Sequence, residues 1–389
     1  MKSLAKNRQL YIDKEAVSAL GLLQEGLLYP VKSLMNKKET EEVKKTGLYK
    51  NVSYPCPFLL SPSGRRNQEV LSTAKKGEKI ELVCEGEPVG SIETDEVFGI
   101  NKEERLSQIG VILEERDYIV TRIGEYAISG KVKIKSDLEI YKQKILEKKQ
   151  KLQAKRITGV VFHANPIHRV HEKILREEFN DSDLIVIFLL RYHKEDLFNF
   201  EIRKKSLDLV LNNFLSKERI CVIPLDATYL FSGSNKIILY SLIAKNYGCT
   251  KILLGQKTQG LSVYYDHSIR HTIFDSLRGI DIEVKILDEY AYCTKCRCLL
   301  NTRTCPHGHH HHISYSTQSI LHFFKMGIIP PTVLVRREVS ALILEYLFPQ
   351  RLELMKQIYY QTLPTFGVFS ENIQEDFYLR LIDLYRIRN

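Results

Sequence analysis

From Ile157 onward, apolar runs of strand length alternate with stretches of helical periodicity, and this alternation restricts the fold more than any other feature of the chain. We predict strands at Ile157–Phe162, Leu184–Leu190, Ile220–Pro224, Lys251–Gly255 and Ile282–Ile286. Amphipathic stretches lie between them, at His168–Phe179, Phe200–Phe214, Lys236–Tyr247 and His267–Leu277. This order predicts a parallel sheet covered by helices. Such sheets bind ligands beyond the carboxyl ends of their strands, so the strand-to-helix turns are the candidate sites.

The preceding part of the chain carries short β-rich segments instead, at Pro57–Ser61, Lys79–Val83 and Tyr126–Ile134. Glycine and proline separate these segments, which is typical of a compact mixed β domain. A chain of 389 residues is long for one core, so we expect two or three domains. The sequence contains no apolar run long enough for a membrane span and no signal peptide, so we expect a cytoplasmic protein that does not bind membranes.

Four of the eight cysteines are clustered, which in a cytoplasmic chain favours a metal site over disulfides. Cys293, Cys296, Cys305 and His309 form a set of four soft ligands with the spacing of a closed, tetrahedral, structural zinc site. Neighbouring residues leave alternatives open, because Cys298, His307 or the run His310–His312 could supply a ligand, and the site could also be vacant.

The turn that follows the first strand of the predicted sheet is the strongest candidate site. Asn165 is a good helix N-cap and Pro166 suits the first helical position, so we predict that the helix begins there. His168 and His171 would then share one face of the first turn, at the positive end of the helix dipole. This arrangement predicts a polyphosphate site. The alternative is two ordinary surface histidines.

The same residues carry a family resemblance. The segment from Asn165 to His171 is similar to the second half of the Gln-Thr-Arg-Asn-Pro-x-His-x-x-His motif of ATP sulfurylases. The cysteine spacing resembles that of their zinc-bearing prokaryotic members. Further similar segments are Gly26–Val31 and Tyr54–Pro57, which resemble the family's PUA-like domain, and Lys245–Thr250, Gly327–Pro331 and Arg336–Val339.

The resemblance implies an α/β chain in which a PUA-like mixed β domain precedes a Rossmann-like, parallel-sheet nucleotidyltransferase domain with a zinc knuckle. We expect the first domain at residues 1–150 and the second at 151–330, with the knuckle at 292–312 and a C-terminal helical subdomain at 331–389. In the family, an acceptor oxyanion attacks the α-phosphorus of ATP and pyrophosphate leaves. The expected partners are therefore ATP, with Mg, and an oxyanion; a homo-oligomer is possible.

Site residues also follow from the resemblance. The catalytic residues would be Asn165, His168 and His171. Nucleotide binding would use these three together with Phe162, His163, Gly255, Gln256, Lys257 and Gly260. A nucleic acid is not expected as a partner in spite of the net charge of +10, because the chain contains no aromatic-plus-basic cluster like an RNA platform.

The sequence departs from the family where the family holds sulfate. Its Gln and Arg fall on Phe162 and Ala164, and losing an arginine removes both charge and bidentate geometry. The second family motif, Gly-Arg-Asp-His-Ala-Gly, reads GQKTQG from Gly255, and the third, Ile-Ser-Gly-Thr-x-x-Arg, reads ISYSTQS from Ile313. We therefore expect an adenylyltransferase with poor sulfate activity. The rival hypothesis is a non-catalytic nucleotide-binding or assembly protein; RNA binding ranks last.

Overall fold

The chain begins with a mixed β domain. We describe a computed structural model of the protein over residues 8–54, 56–109, 113–192, 198–229, 235–255, 277–362 and 378–379. The first sheet has the strand order β1-β5-β6-β7-β4. Its strands are β1 (Gln9–Tyr11), β4 (Leu60–Pro62), β5 (Lys79–Cys84), β6 (Glu87–Gly99) and β7 (Ile123–Ile134), and the short strands β2 (Leu48–Tyr49) and β3 (Val52–Ser53) pair separately.

Helices line this sheet, at α1 (Lys14–Gln24), α2 (Lys37–Thr46), α3 (Arg65–Thr73), α4 (Lys102–Ile109) and α5 (Leu113–Val120). The predicted strands at Lys79–Val83 and Tyr126–Ile134 are confirmed by β5 and β7. The prediction for Pro57–Ser61 is wrong over its first three residues, because β4 starts at Leu60. Those three residues are apolar and buried, so burial rather than strand pairing explains their composition.

Helix α6 (Leu138–Leu152) leads into the predicted parallel sheet, whose strand order is β10-β9-β8-β11-β12. All four strand pairs in it are parallel. Every predicted strand is found within two residues of its predicted bounds: β8 (Ile157–Phe162), β9 (Leu184–Arg191), β10 (Ile220–Asp226), β11 (Lys251–Leu254) and β12 (Glu283–Ile286). The apolar runs predict these strands well because a parallel sheet is buried on both faces.

The intervening helices are α7 (Arg169–Glu178), α8 (Phe200–Phe214) and α9 (Lys236–Asn246), which confirm three of the four predicted stretches. The fourth prediction, His267–Leu277, lies outside the described residues except for Leu277. None of the helices that the structure describes is long and apolar enough to cross a membrane.

The side chains of β8 alternate between two cores, as the period of a strand requires. Ile157 and Val161 join the core that contains α9 and much of the N-terminal domain. Val160 and Phe162 join the core that contains α7, α8 and the C-terminal helices. The turn after β8 therefore lies above the second core.

The C-terminal part adds a small antiparallel sheet and three helices to this second side. The sheet consists of β13 (Tyr290–Cys293), β14 (Cys298–Asn301) and β15 (His312–Ser314), with β13 in the centre. The helices are α10 (Thr317–Lys325), α11 (Arg337–Leu347) and α12 (Arg351–Thr362). Strand β15 and the start of α10 thereby bring Tyr315 next to the turn after β8.

Candidate functional site

Helix α7 begins later than the sequence predicts. Its first residue is Arg169 and its N-cap is His168, so the predicted N-cap at Asn165 and first helical position at Pro166 are wrong. The backbone N–H of His168 donates to the Nδ1 atom of His171 at 3.1 Å. Because the side chain at the third helical position serves the cap residue in this way, the helix starts at the histidine pair. Asn165 and Pro166 lie in the preceding turn, where their peptide bond is cis.

The two histidines lie beside each other in the protein interior. His168 is 1% exposed and His171 is fully buried, and their ring centroids are 4.0 Å apart. The Phe162 ring packs edge-on against His171 at 4.7 Å, and the Tyr315 ring lies 5.5 Å from His168. The alternative hypothesis of two ordinary surface histidines is therefore wrong, because aromatic side chains cover both.

Neither ring nitrogen of His168 has a hydrogen-bond partner among the described residues. Burial, reinforced by the neighbouring His171, lowers the pKa of His168 well below its ordinary value. The imidazole is therefore neutral, with one N–H to donate and one nitrogen to accept. Buried polar groups in native structures nearly always have a partner, so a histidine in this state points to a functional role.

The resemblance places the family's oxyanion contacts on Phe162 and Ala164, which are apolar. Both are fully buried in the second core. A cation does approach this turn, but from α8: Arg203 Nη1 donates to the backbone oxygen of His163 at 2.6 Å. The His163 ring packs against Tyr192 at 5.0 Å.

Arg203 and Tyr315 are the residues of this region that sequence reasoning missed. Nothing in the pattern of α8 distinguishes Arg203, which is nearly buried and anchors the turn. Tyr315 carried a signal, because it occupies the glycine position of the third family motif. Only the fold shows that this larger side chain packs against His168.

The predicted second loop is only partly within the described residues. Gly255 is buried and follows β11 directly. Since Leu253 pairs with Val160, Gly255 lies beside Phe162 at the carboxyl edge of the sheet. Gln256, Lys257 and Gly260 lie outside the described residues.

Three cysteines and a histidine come together in the small sheet. The ligand atoms of Cys293, Cys296, Cys305 and His307 all lie within 4.8 Å of one another. The Nδ1 atom of His307 is 3.2 to 3.7 Å from the three sulfur atoms. A tetrahedral zinc ion with Zn–S bonds of about 2.3 Å and a Zn–N bond of about 2.0 Å separates its ligand atoms by about 3.5–3.8 Å. The four residues therefore fit zinc.

The prediction of His309 as the fourth ligand disagrees with this geometry. His309 begins a short 3-10 helix that follows Gly308, and its ring packs against His312 instead. His307 precedes that helix and so remains beside the thiols. Burial acts to raise the pKa of Cys293, but the backbone N–H groups of Cys296 and Lys295 outweigh it and lower that pKa to about 7. A thiol that ionises this easily is suited to metal ligation.

The chain combines a mixed β domain with a parallel α/β sheet, and its candidate site is the turn at the carboxyl edge of the central strand. This combination defines a class of two-domain α/β proteins. A family model described as ATP-sulfurylase matches residues 136–346, and one described as a PUA-like domain matches residues 1–137. The chain belongs to the ATP-sulfurylase family.

Curated relatives agree with this assignment, and a solved structure shares the fold. A sulfate adenylyltransferase of Carboxydothermus hydrogenoformans is 28% identical over 356 residues, which cover 87% of this chain and 92% of that protein. One of Psychrobacter sp. is 28% identical over 312 residues, covering 74% of this chain and 72% of that protein. A hexameric APS kinase from Thiobacillus denitrificans has a TM-score of 0.65 at 15% identity over 98% of this chain and 78% of its own, which shows a shared fold.

Proposed function

We propose that the protein is an adenylyltransferase of the ATP sulfurylase type that transfers AMP from ATP to an acceptor, releases pyrophosphate, and uses sulfate poorly. The relatives' names support the reaction type. The observation that carries the restriction on sulfate is the pair Phe162 and Ala164: both are apolar and fully buried at the positions of the family's oxyanion ligands. A sulfate dianion placed there would lose its hydration without gaining a cationic partner.

In this proposal, the triphosphate binds at the turn between β8 and α7. Asn165, His168 and His171 orient its oxygens, and positioning rather than covalent chemistry supplies most of the acceleration. The neutral His168 contributes a hydrogen bond through its N–H and carries no charge to the phosphates. Gly255 and the following residues Gln256, Lys257 and Gly260 would approach the nucleotide from the neighbouring strand, with Mg on the phosphates.

A pyrophosphate-release assay tests the reaction and its acceptor together. Purified protein is incubated with ATP and Mg, and with sulfate, molybdate, phosphate or a small carboxylate in parallel. We expect pyrophosphate release with an acceptor other than sulfate to exceed release with sulfate. Sulfate as the best acceptor of the panel would contradict the proposed restriction.

A second candidate is a non-catalytic nucleotide-binding or assembly protein. The observation that favours it is the Tyr315 ring, which packs against His168 and helps to bury it. This candidate predicts measurable ATP binding by calorimetry with no pyrophosphate release for any acceptor. Release with even one acceptor would exclude it.

We also propose that Cys293, Cys296, Cys305 and His307 hold one structural zinc ion per chain. A closed set of four protein ligands contributes to folding and leaves no open position for catalysis. Elemental analysis of untagged protein should find about one zinc per chain in the wild type and in His309→Ala, and a clear loss in His307→Ala. Zinc retained in His307→Ala but lost in His309→Ala would show that the chain uses the histidine expected from the cysteine spacing.

A further inference from the structure

A basic cavity lies beside α7 and is lined by other side chains of this helix than the histidines that the proposed function uses. Its volume is about 380 Å³, and it lies between α7, the zinc knuckle and the segment that precedes α11. Five cationic side chains line it against one carboxylate, that of Glu172. The cations are Arg169, Lys173, Arg176, Arg297 and Arg336.

The single carboxylate is shared by two of these arginines. Arg336 binds Glu172 through two nitrogen atoms at 2.7 to 2.9 Å, and Arg169 Nη1 lies 3.6 Å from the same carboxylate. The Arg336 guanidinium also lies 3.5 Å from the centre of the Phe214 ring. Glu172 can neutralise only one of its two partners, so this pair leaves one positive charge without a counter-charge.

Among the residues that the structure describes, two further cations of the cavity lack an acidic partner. Arg176 donates to the backbone oxygen of Phe214 at 2.5 Å, which satisfies one nitrogen but does not neutralise the charge. The Arg297 side chain is exposed and has no hydrogen bond or ion pair among the described residues. Lys173, by contrast, is paired with Glu177 at 3.1 Å. The cavity therefore has about three unneutralised positive charges.

Arg169 is a partly buried cation of this cavity. Burial lowers its pKa; the carboxylates of Glu172 and Glu338 oppose this shift, and the adjacent Arg336 adds to it. Arginines are suited to such a place because their planar groups bind phosphate and sulfate oxygens in pairs. A bound anion would relieve the repulsion between Arg169 and Arg336.

The other walls indicate the size and type of ligand. Tyr292, Leu299 and Val333 add an aromatic ring and two aliphatic side chains. A volume near 400 Å³ lies in the range of small-molecule sites and exceeds what a free tetrahedral anion fills. The combination of arginines with one aromatic ring matches the two parts of a nucleotide, a phosphate and a planar base.

We propose that this cavity binds a small molecule that carries a phosphate or sulfate group, at a site distinct from the turn between β8 and α7. Arg176 and Arg297 supply the charge that is still unneutralised, and Arg169 completes the anion contacts. The proposal does not rest on the proposed function, because none of these side chains belongs to the predicted nucleotide-binding set.

The absence of tryptophan from the chain permits a local measurement. Tyr292→Trp introduces a single tryptophan at the cavity wall, so its fluorescence reports on binding at this wall. In this background we would titrate AMP, inorganic phosphate and sulfate separately at constant ionic strength, since salt screens exposed charges. We expect AMP to bind more tightly than either inorganic anion. Phosphate or sulfate bound as tightly as AMP would contradict a small-molecule ligand and indicate a site for a free oxyanion.

Charge-removing variants decide whether the cavity is responsible. Arg297→Gln and Arg176→Gln should each weaken binding about tenfold or more, as expected for the loss of a charge-assisted contact. Arg303→Gln is the matched control, because Arg303 is an exposed arginine of the same zinc knuckle that pairs with Asp288 and does not line the cavity. Thermal unfolding would check that all variants fold. No saturable signal with any probe, or equal weakening by Arg297→Gln and Arg303→Gln, would overturn the proposal.

Discussion

The two ends of the parallel sheet differ in the hydrogen bonding of their buried polar side chains. At the amino end, Glu178 is 1% exposed and accepts hydrogen bonds from Thr158 at 2.9 Å and Ser182 at 2.6 Å. Its carboxylate also forms ion pairs with Lys251 and Lys285. At the carboxyl end, His168 is equally buried but has no hydrogen-bond partner among the described residues.

In the proposed function, this difference separates a structural role of Glu178 from a ligand-binding role of His168. Although burial acts to raise the pKa of Glu178, its bonds to Lys251, Ser182, Lys285 and Thr158 lower it below the ordinary value. The protein therefore keeps Glu178 charged and satisfied in the folded state. No such network serves His168 within the described ranges, so an unsatisfied polar group lies at the carboxyl end of the sheet, the end at which parallel α/β sheets generally bind ligands.

Removal of the Glu178 carboxylate should give the largest loss of stability. Glu178→Ala leaves Lys251 buried without its acidic partner, which typically costs about 3–5 kcal/mol in the free energy of unfolding. Asp181→Ala is the matched control: Asp181 is an exposed acidic partner of Lys285, and its loss should cost less than about 1 kcal/mol. Urea denaturation measures both. Similar losses for the two variants would mean that the buried Glu178 network contributes no more to stability than an exposed ion pair. That result would contradict the structural role given to Glu178.

Replacement of His168 should lower ATP affinity without lowering stability. His168→Phe retains an aromatic ring and removes the unsatisfied nitrogens, so the free energy of unfolding should stay the same or rise by about 1–3 kcal/mol. ATP affinity should fall about tenfold or more, since the proposed phosphate contact is lost. Calorimetry and urea denaturation give the two numbers. Unchanged ATP affinity would make His168 an ordinary core residue.

His168 and Glu178 should affect the free energy of unfolding in different pH ranges. Because the pKa of His168 is lowered in the folded state, the unfolded chain takes up a proton first as the pH falls through the ordinary value of 6.5. Stability should therefore fall below that pH, with a contribution of up to about 1.4 kcal/mol per pH unit.

The lowered pKa of Glu178 acts at more acidic pH. Its contribution is fully present above the ordinary value of 4.5 and disappears as the pH falls through the folded-state pKa. Urea denaturation at intervals from pH 7 to pH 5 isolates the histidine, and His168→Phe is the control that should flatten this part of the curve. An identical curve for that variant would assign the pH dependence to other groups.

The smallest expected effect concerns the hydroxyl of Tyr315. Tyr315→Phe removes its hydrogen bond to the backbone oxygen of Val333, which should cost about 0.5–1.5 kcal/mol of stability. The ring contact with His168 remains, so ATP affinity should change less than twofold. A large change in affinity would mean that the hydroxyl itself takes part in binding.

Much of this fold could be predicted because the buried parallel strands are continuous apolar runs. The strands β8 to β12 follow from these apolar runs, and helix α8 follows from the helical periodicity of its apolar residues. The start of α7 could not be predicted in the same way, since Asn165 and Pro166 are good helix starters and only the His171 ring explains why His168 is the cap. A specific side-chain contact therefore outweighs the local helix-start propensity at this position.

The sequence predicted which residues form the candidate site, but it did not predict their burial or the side chains that pack against them. The resemblance directed attention to His168 and His171, and the structure brings them together. The Tyr315 ring, which packs against His168, is distant in sequence, so no local pattern could reveal this contact. The candidate zinc site shows the same limit, because a run of histidines close to Cys305 offers several ligands and only the path of the chain brings His307 beside the thiols.

The central claim is that the apolar residues Phe162 and Ala164 deprive the site of its sulfate contacts. The most direct test is sulfate-dependent pyrophosphate release, with the Carboxydothermus hydrogenoformans relative assayed alongside. Loss of an oxyanion-stabilising donor typically lowers the rate about 10²–10³-fold, and donors that act together need not multiply. We expect the rate with sulfate to be lower than that of the relative by at least this factor. A comparable rate would contradict the account, because the site would then bind sulfate by another route.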